Sequence, residues 1–169
     1  MNSLTQDELA RLLKVSESAP LHRLAILVAF NHGLRASEVT TMTGGQVKDG
    51  YLRVKRLKGS LETIQRLLPN EKELELISAS VGNEGRIFNF SSRWFQKLMN
   101  RYGKMAGIPA HKSHPHSLKH SCAMLGLEGG MKINEVQAYL GHKSLASTGQ
   151  YLKVNDETAS LAFAAAVGV

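Results

Sequence analysis

The sequence predicts a mainly α-helical chain with a small three-stranded antiparallel sheet. Apolar residues recur at helical spacing from Leu4 to Phe30 and again from Trp94 onward. Between these stretches, around Tyr51 to Leu68, apolar and basic residues alternate, and glycines mark the turns. The length of 169 residues, 43% of them hydrophobic, suits one domain with a core of its own.

Each element has a local reason. Ser3 or Thr5 can cap a first helix whose Leu4, Leu9, Leu12 and Leu13 share a face, with Asp7 and Glu8 in its first turn. Pro20 suits the start of a second helix that carries Leu24, Ile26, Leu27, Val28 and Phe30, and Gly33 ends it. Gly44-Gly45 and Asp49-Gly50 flank a strand from Tyr51 to Leu57. Lys58-Gly59-Ser60 turns the chain, Glu62 to Leu68 returns, and Pro69-Asn70 ends the hairpin. Glu71 to Ser80 reads as a short helix and Gly85-Arg86-Ile87-Phe88 as the third strand. Ser91 or Ser92 caps an amphipathic helix through Trp94, Phe95, Leu98, Met99 and Tyr102. Helices near 116–128, 133–140 and 155–166 complete the chain. No repeat or linker divides residues 1–169, which read as a single domain with nothing ahead of it.

The formal net charge of +7 favours an anionic partner, nucleic acid before membrane. The lone Cys122 excludes an internal disulfide and fits a helical core position in a reducing compartment. The N-terminus lacks an export signal, and the longest apolar run, Leu24 to Phe30, is too short to span a bilayer, so a cytoplasmic location is expected. Neither Gly44-Gly45 nor Gly129-Gly130 has the strand–glycine–helix spacing of a nucleotide-binding loop.

The chemistry concentrates in a few places. Gly33-Leu34-Arg35-Ala36-Ser37-Glu38 carries a guanidinium. The hairpin turn carries Lys58. His114-Pro115-His116-Ser117-Leu118-Lys119-His120 offers imidazoles and an ammonium. Leu140-Gly141-His142 follows, and Tyr151 stands nine positions after that histidine. Such a set suits attack on a phosphodiester without metal. A phenol with pKa near 10 needs cationic surroundings or a base to act at neutral pH, and fixed cations stabilise a phosphorane. The acidic residues are scattered rather than convergent, which argues against two-metal chemistry, and no cofactor is expected.

These motifs, in this order, closely resemble the catalytic domain of the tyrosine recombinases (the phage integrase family), over roughly residues 4 to 160. The wording Arg-Ala-Ser-Glu and His-Pro-His also looks like the compact fimbrial-switch invertases. The resemblance implies the tyrosine recombinase catalytic fold and a role for each matching position. Tyr151 would form a 3′-phosphotyrosine, Arg35 would bind a phosphate oxygen, and Lys58 would protonate the leaving 5′-oxygen. His116 would assist proton transfer, His142 would donate to the phosphate, and Glu38 would hold the site together. It implies double-stranded DNA as partner, a monomer in dilute solution, and assembly on paired DNA sites as a tetramer. A C-terminal element passed to a neighbour would link the active sites, whereas a short helix of this kind also gains stability by docking on its own domain.

One position departs from the family pattern. An arginine is usual where Lys119 stands, and lysine keeps the charge but loses the bidentate fork. An active enzyme, a slow enzyme and a DNA-binding relative that no longer cuts are the readings this leaves open, with a type IB topoisomerase more distant. Arg56, Arg93, Lys97, Lys112, Lys143 and Lys153 form a candidate set for the DNA backbone, though each singly also suits a solvated surface charge. His116 and His120, with His111 and His114, have a spacing that can suggest zinc, but no cysteine pair or acidic ligand completes the set, and no metal is expected. Tyr51, Tyr102 and Tyr139 sit in strand or helix patterns and read as packing residues; Tyr151 follows a polar stretch without apolar period.

Overall fold

Thr5, rather than Ser3, starts the first helix. Its hydroxyl accepts from the Glu8 N–H while the Glu8 carboxylate accepts the Thr5 N–H, a reciprocal capping box. In a computed structural model, which describes residues 2–56, 60–143 and 156–168, this helix is α1 (Gln6–Val15). Then come α2 (Pro20–His32), α3 (Ala36–Thr40), β1 (Val47–Lys48), β2 (Tyr51–Val54), β3 (Thr63–Arg66) and α4 (Glu73–Val81). The remaining helices are α5 (Ser92–Met105), α6 (Pro115–Glu128), α7 (Ile133–Leu140) and α8 (Asp156–Val167).

Helix α2 is the centre of the fold. Every residue from Leu24 to Ala29 is buried, so it is apolar on all sides and must be surrounded. It lies along α6, with α1 and α3 also against it. Pro20 opens it, and Gly33 closes it in the left-handed conformation at φ 63°. The main core joins Leu12, Leu24, Ile26, Phe88, Phe95 and Met99 with Leu118 of α6. A smaller cluster, Ala123, Val136 and Leu140, fills the space between α6 and α7. Two apolar faces of α6 therefore join the two clusters.

The sheet is antiparallel in the order β1-β2-β3, with Val47 opposite Leu52 and Leu52 opposite Gln65. Its third strand is Val47–Lys48, not residues 85–88 as the sequence suggested. Arg86 makes only an isolated bridge to Thr43, and the adjacent Ile87 and Phe88 are both buried. Two neighbours pointing inward cannot obey the period-two alternation of a strand. The helix expected from Glu71 begins at Glu73, because Pro69–Glu71 forms a 3₁₀ turn that drives Glu71 into the interior. Among the described residues no side chain of helix α8 joins either apolar cluster, and Leu161, Phe163 and Val167 are all more than half exposed. No helix among the described residues is long and apolar enough to cross a membrane.

Candidate active site

The site begins where α2 stops. After Gly33 the chain passes through buried Leu34 to Arg35, whose extended backbone (φ −76°, ψ 159°) leads directly into α3. Glu38 lies one turn into α3, so its carboxylate can fold back. It accepts the Arg35 backbone N–H at 2.9 Å and lies 3.4 Å from the Arg35 guanidinium. The guanidinium of Arg56 stands 3.6 Å away from the same carboxylate. One buried anion thus aligns two arginines.

Arg56 is a correction to its expected place in a surface charge set. Its side chain is fully buried and donates to the carbonyls of Gly33 (2.7 Å), His32 (3.0 Å) and Tyr139 (3.1 Å). Burial lowers its pKa and Glu38 opposes that effect. The planar fork fits here because three carbonyls from two helix ends converge on it. The alternation Leu52, Val54, Arg56, all buried, carried the signal: Arg56 has the inward parity of β2 extended.

Helix α6 presents Lys119 to this centre. The residue is only 2% exposed, and its Nζ has no hydrogen-bond partner among the described residues. Burial, then the charge of Arg35, lowers its pKa to about 8, while Glu38 acts the other way. His116 and His120, one turn apart, meet edge to face at 4.3 Å between ring centres. His116 has an exposed edge, yet partial desolvation and then the positive neighbours His120, Lys119, His114 and Arg35 hold its pKa down to about 4. It is therefore a neutral imidazole, able to accept a proton, throughout the neutral range.

His142 arrives from the other side. Gly141 ends α7 at φ 68°, and the His142 N–H donates to the Gln137 carbonyl at 3.0 Å. The imidazole is buried, and burial followed by Lys119, Arg56 and Arg35 lowers its pKa. Two glycines permit this approach. A Cβ on Gly33 would run into the Leu140 side chain, and one on Gly141 would collide with the Leu61 carbonyl, whose own N–H donates to the Gly141 carbonyl at 2.8 Å. The hairpin and the His142 segment are thereby joined backbone to backbone.

Beneath the site lies a polar network that sequence reasoning missed. His32 Nε2 pairs with Glu71 at 2.6 Å, both side chains fully buried, and its Nδ1 meets Gln65 Oε1. Gln65 donates to the Tyr139 carbonyl at 2.6 Å, and the Tyr139 hydroxyl donates to the Asn31 carbonyl at 2.6 Å. The His32 hydrogen bond offsets desolvation and holds the Glu71 carboxyl below its usual range. The network ties α2, β3 and α7 together under Arg35 and His142.

The structure thus brings together Arg35, Glu38, Lys119, His116 and His142, with Arg56 as internal brace. Lys58, Tyr151 and Lys153 lie outside the described residues. Lys143 is exposed. Arg93 and Lys97 are exposed on α5, where Arg101 and Lys104 continue the same basic face. Lys112 is engaged by Glu8 at 3.1 Å, which ties the turn before α6 to α1. His114 contacts the His111 carbonyl and Ser117. Among the described residues no three His, Cys, Asp or Glu side chains converge as a metal site. Burial raises the Cys122 thiol to about 12, so it stays protonated. Tyr102 packs in the core, Tyr139 is the network residue above, and Tyr51 lies under Arg66 on the sheet.

Guanidinium, ammonium and imidazole around one anchoring carboxylate make a pocket for an anionic, oxygen-rich group. The sequence profile of the phage integrase family matches residues 2–158. The chain belongs to the phage integrase family. Like other tyrosine recombinases it has a mostly helical domain with a three-stranded antiparallel sheet. It is 33% identical to tyrosine recombinase XerA of Thermococcus kodakarensis over 92% of this chain and 59% of the relative. Type 1 fimbriae regulatory protein FimB of Escherichia coli K12 is 27% identical, over 91% of this chain and 85% of that protein. The crystal structure of XerA recombinase superposes with a TM-score of 0.76 at 24% identity, covering 95% of this chain and 63% of that one. A λ integrase fragment, residues 75–356, in a dimer bound to a COC′ core site gives a TM-score of 0.73 at 26% identity, covering 89% of this chain and 58% of the other. The chain spans about three fifths of the length of the XerA relatives it matches.

Proposed function

We propose that this chain is the strand-cleaving part of a site-specific DNA recombinase that cuts and rejoins DNA through a 3′-phosphotyrosine, without metal or ATP. The observation that carries the reading is the convergence of Arg35, Lys119 and His142, from three separate elements, on a centre braced by Glu38 and Arg56. Tyr151 attacks the scissile phosphorus, and the 5′-oxygen leaves with a proton from Lys58. His116, neutral at working pH, assists removal of the phenol proton. Arg35 binds a non-bridging oxygen with its fork, and Lys119 and His142 complete the cationic cradle. The phosphotyrosyl ester keeps the energy of the broken bond, so religation needs no nucleotide.

The exposed cations Arg93, Lys97 and Lys143, and Lys153 from the sequence, supply salt-dependent contact with the duplex backbone. Lys112 joins that set only by leaving Glu8. Assembly on paired sites involves α8, whose Leu161, Phe163 and Val167 are more than half exposed and join neither apolar cluster of the described residues. A nicked suicide duplex carrying the recombination site tests the reading. Covalent protein–DNA adduct that disappears in Tyr151→Phe, with duplex binding retained, supports it; adduct at wild-type level in Tyr151→Phe overturns it.

Lys119 favours a second reading, a DNA-binding relative that acts as an accessory factor. A single ammonium cannot form the two parallel hydrogen bonds of a guanidinium. A gel shift without adduct on the same substrate would select it.

A further inference from the structure

Lys119 is a lysine held where a guanidinium would carry permanent charge. Its Nζ is buried and unpartnered among the described residues, although an ammonium offers three donors. The groups that face it come from every surrounding element. Arg35 and Glu38 belong to the start of α3, Arg56 to the chain beyond β2, and His142 to the end of α7. On α6 itself stand His116, His120 and Cys122. Glu38 is the acid among them, and it already serves the Arg35 backbone and two guanidiniums. Among the described residues, cations therefore outnumber acids around Lys119. A desolvated amine among cations gives up its proton readily, and an arriving anion reverses that balance.

We propose that Lys119 makes anion binding in this pocket proton-coupled: in mildly alkaline solution, as a phosphate diester enters, the buried amine takes up a proton from solvent and becomes the ammonium that faces it. No bond to phosphorus forms; the neutral amine and one proton become the ammonium, and the solvent buffer supplies the proton. The identity of the anion rests on the recombinase reading above, whereas the coupling rests on the pocket. The lowered pKa of about 8 places the exchange in an accessible range. Arginine at this position would hold its charge at every working pH and take up nothing. By linkage, if the bound anion restores the ordinary lysine range, affinity at pH 9 should lie about tenfold below its neutral-pH value.

The experiment follows the amine directly. The full chain is labelled with ¹³C at the lysine side-chain carbons, and the Lys119 signal is identified by its loss in Lys119→Arg. Its titration is followed alone, with inorganic phosphate, and with a short DNA duplex. The expected result is a midpoint near 8 in the free protein that moves clearly upward with either ligand. Duplex binding at pH 8 in two buffers of different ionisation heat should show proton uptake in the wild type and none in Lys119→Arg. A free-protein midpoint in the ordinary lysine range, or one that neither ligand moves, overturns the proposal. Adduct formation with an unmoved midpoint would remove this inference alone. A moving midpoint in a protein that never forms adduct would remove the recombinase reading and leave the proton coupling standing.

Discussion

Lys119 sets a conflict between stability and chemistry at a single residue. Its pKa falls from 10.5 in the unfolded chain to about 8 in the folded one. Between those values the unfolded chain keeps a proton that the folded chain has released, so stability should rise with pH through that window. At neutral pH the buried charge costs on the order of 3 kcal/mol. Lys119→Met should therefore raise the unfolding midpoint in urea at pH 7 while abolishing cleavage. A destabilised Lys119→Met would mean that the ammonium is paired after all. Arg35 makes the complementary case. Arg35→Ala should lower cleavage by more than it lowers duplex affinity, because its fork acts on charge that develops in the transition state. Equal losses in both would make it an ordinary phosphate anchor. The motifs of Arg35, Lys119 and His142 were readable as short words in the sequence. Their brace was not, since Glu71 lies 39 residues from His32, and no local pattern announces a pair at that separation. Arg56 was readable in principle by its parity with Leu52 and Val54, but basic neighbours on both sides drew it into a surface set.

At the scale of elements, the ends of α2 and α7 and the hairpin behave as one joint. Arg56 donates to carbonyls at both helix ends, and Gln65 repeats the contact at Tyr139. Arg56→Ala removes one side of a buried ion pair and leaves three carbonyls and Glu38 to be satisfied. It should cost about 3–5 kcal/mol, measured by denaturant unfolding. Arg56→Lys should recover only part of the loss, because one ammonium cannot span carbonyls from both helix ends. Full recovery by lysine would show that charge alone matters here. Helix starts and stops were legible because caps are local: Thr5, Pro20, Gly33 and Gly141 each act within one turn. The third strand was not. Val47–Lys48 is too short to display a period, while Ile87-Phe88 imitates one by composition and is held instead by Arg86 donating to the carbonyls of Thr40 and Phe90.

For the whole molecule, the unequal burial of its parts matters most. Two clusters joined through α6 hold residues from α1 to α7, and no described side chain of α8 belongs to either. Removing the chain after Asn155 should leave the unfolding free energy of the monomer within about 0.5 kcal/mol of the parent, as for substitutions outside the core. The same truncation should sharply reduce recombination between paired sites. A truncated protein that unfolds outright would assign α8 to its own core. Twelve residues with Leu161, Phe163 and Val167 in water form a helix near the limit of independent stability. Its backbone amides should therefore trade hydrogen for deuterium quickly in the monomer while those of α2 remain protected for far longer. Once two sites are brought together the α8 amides should slow first. That change would date the moment of assembly without reference to any cut strand.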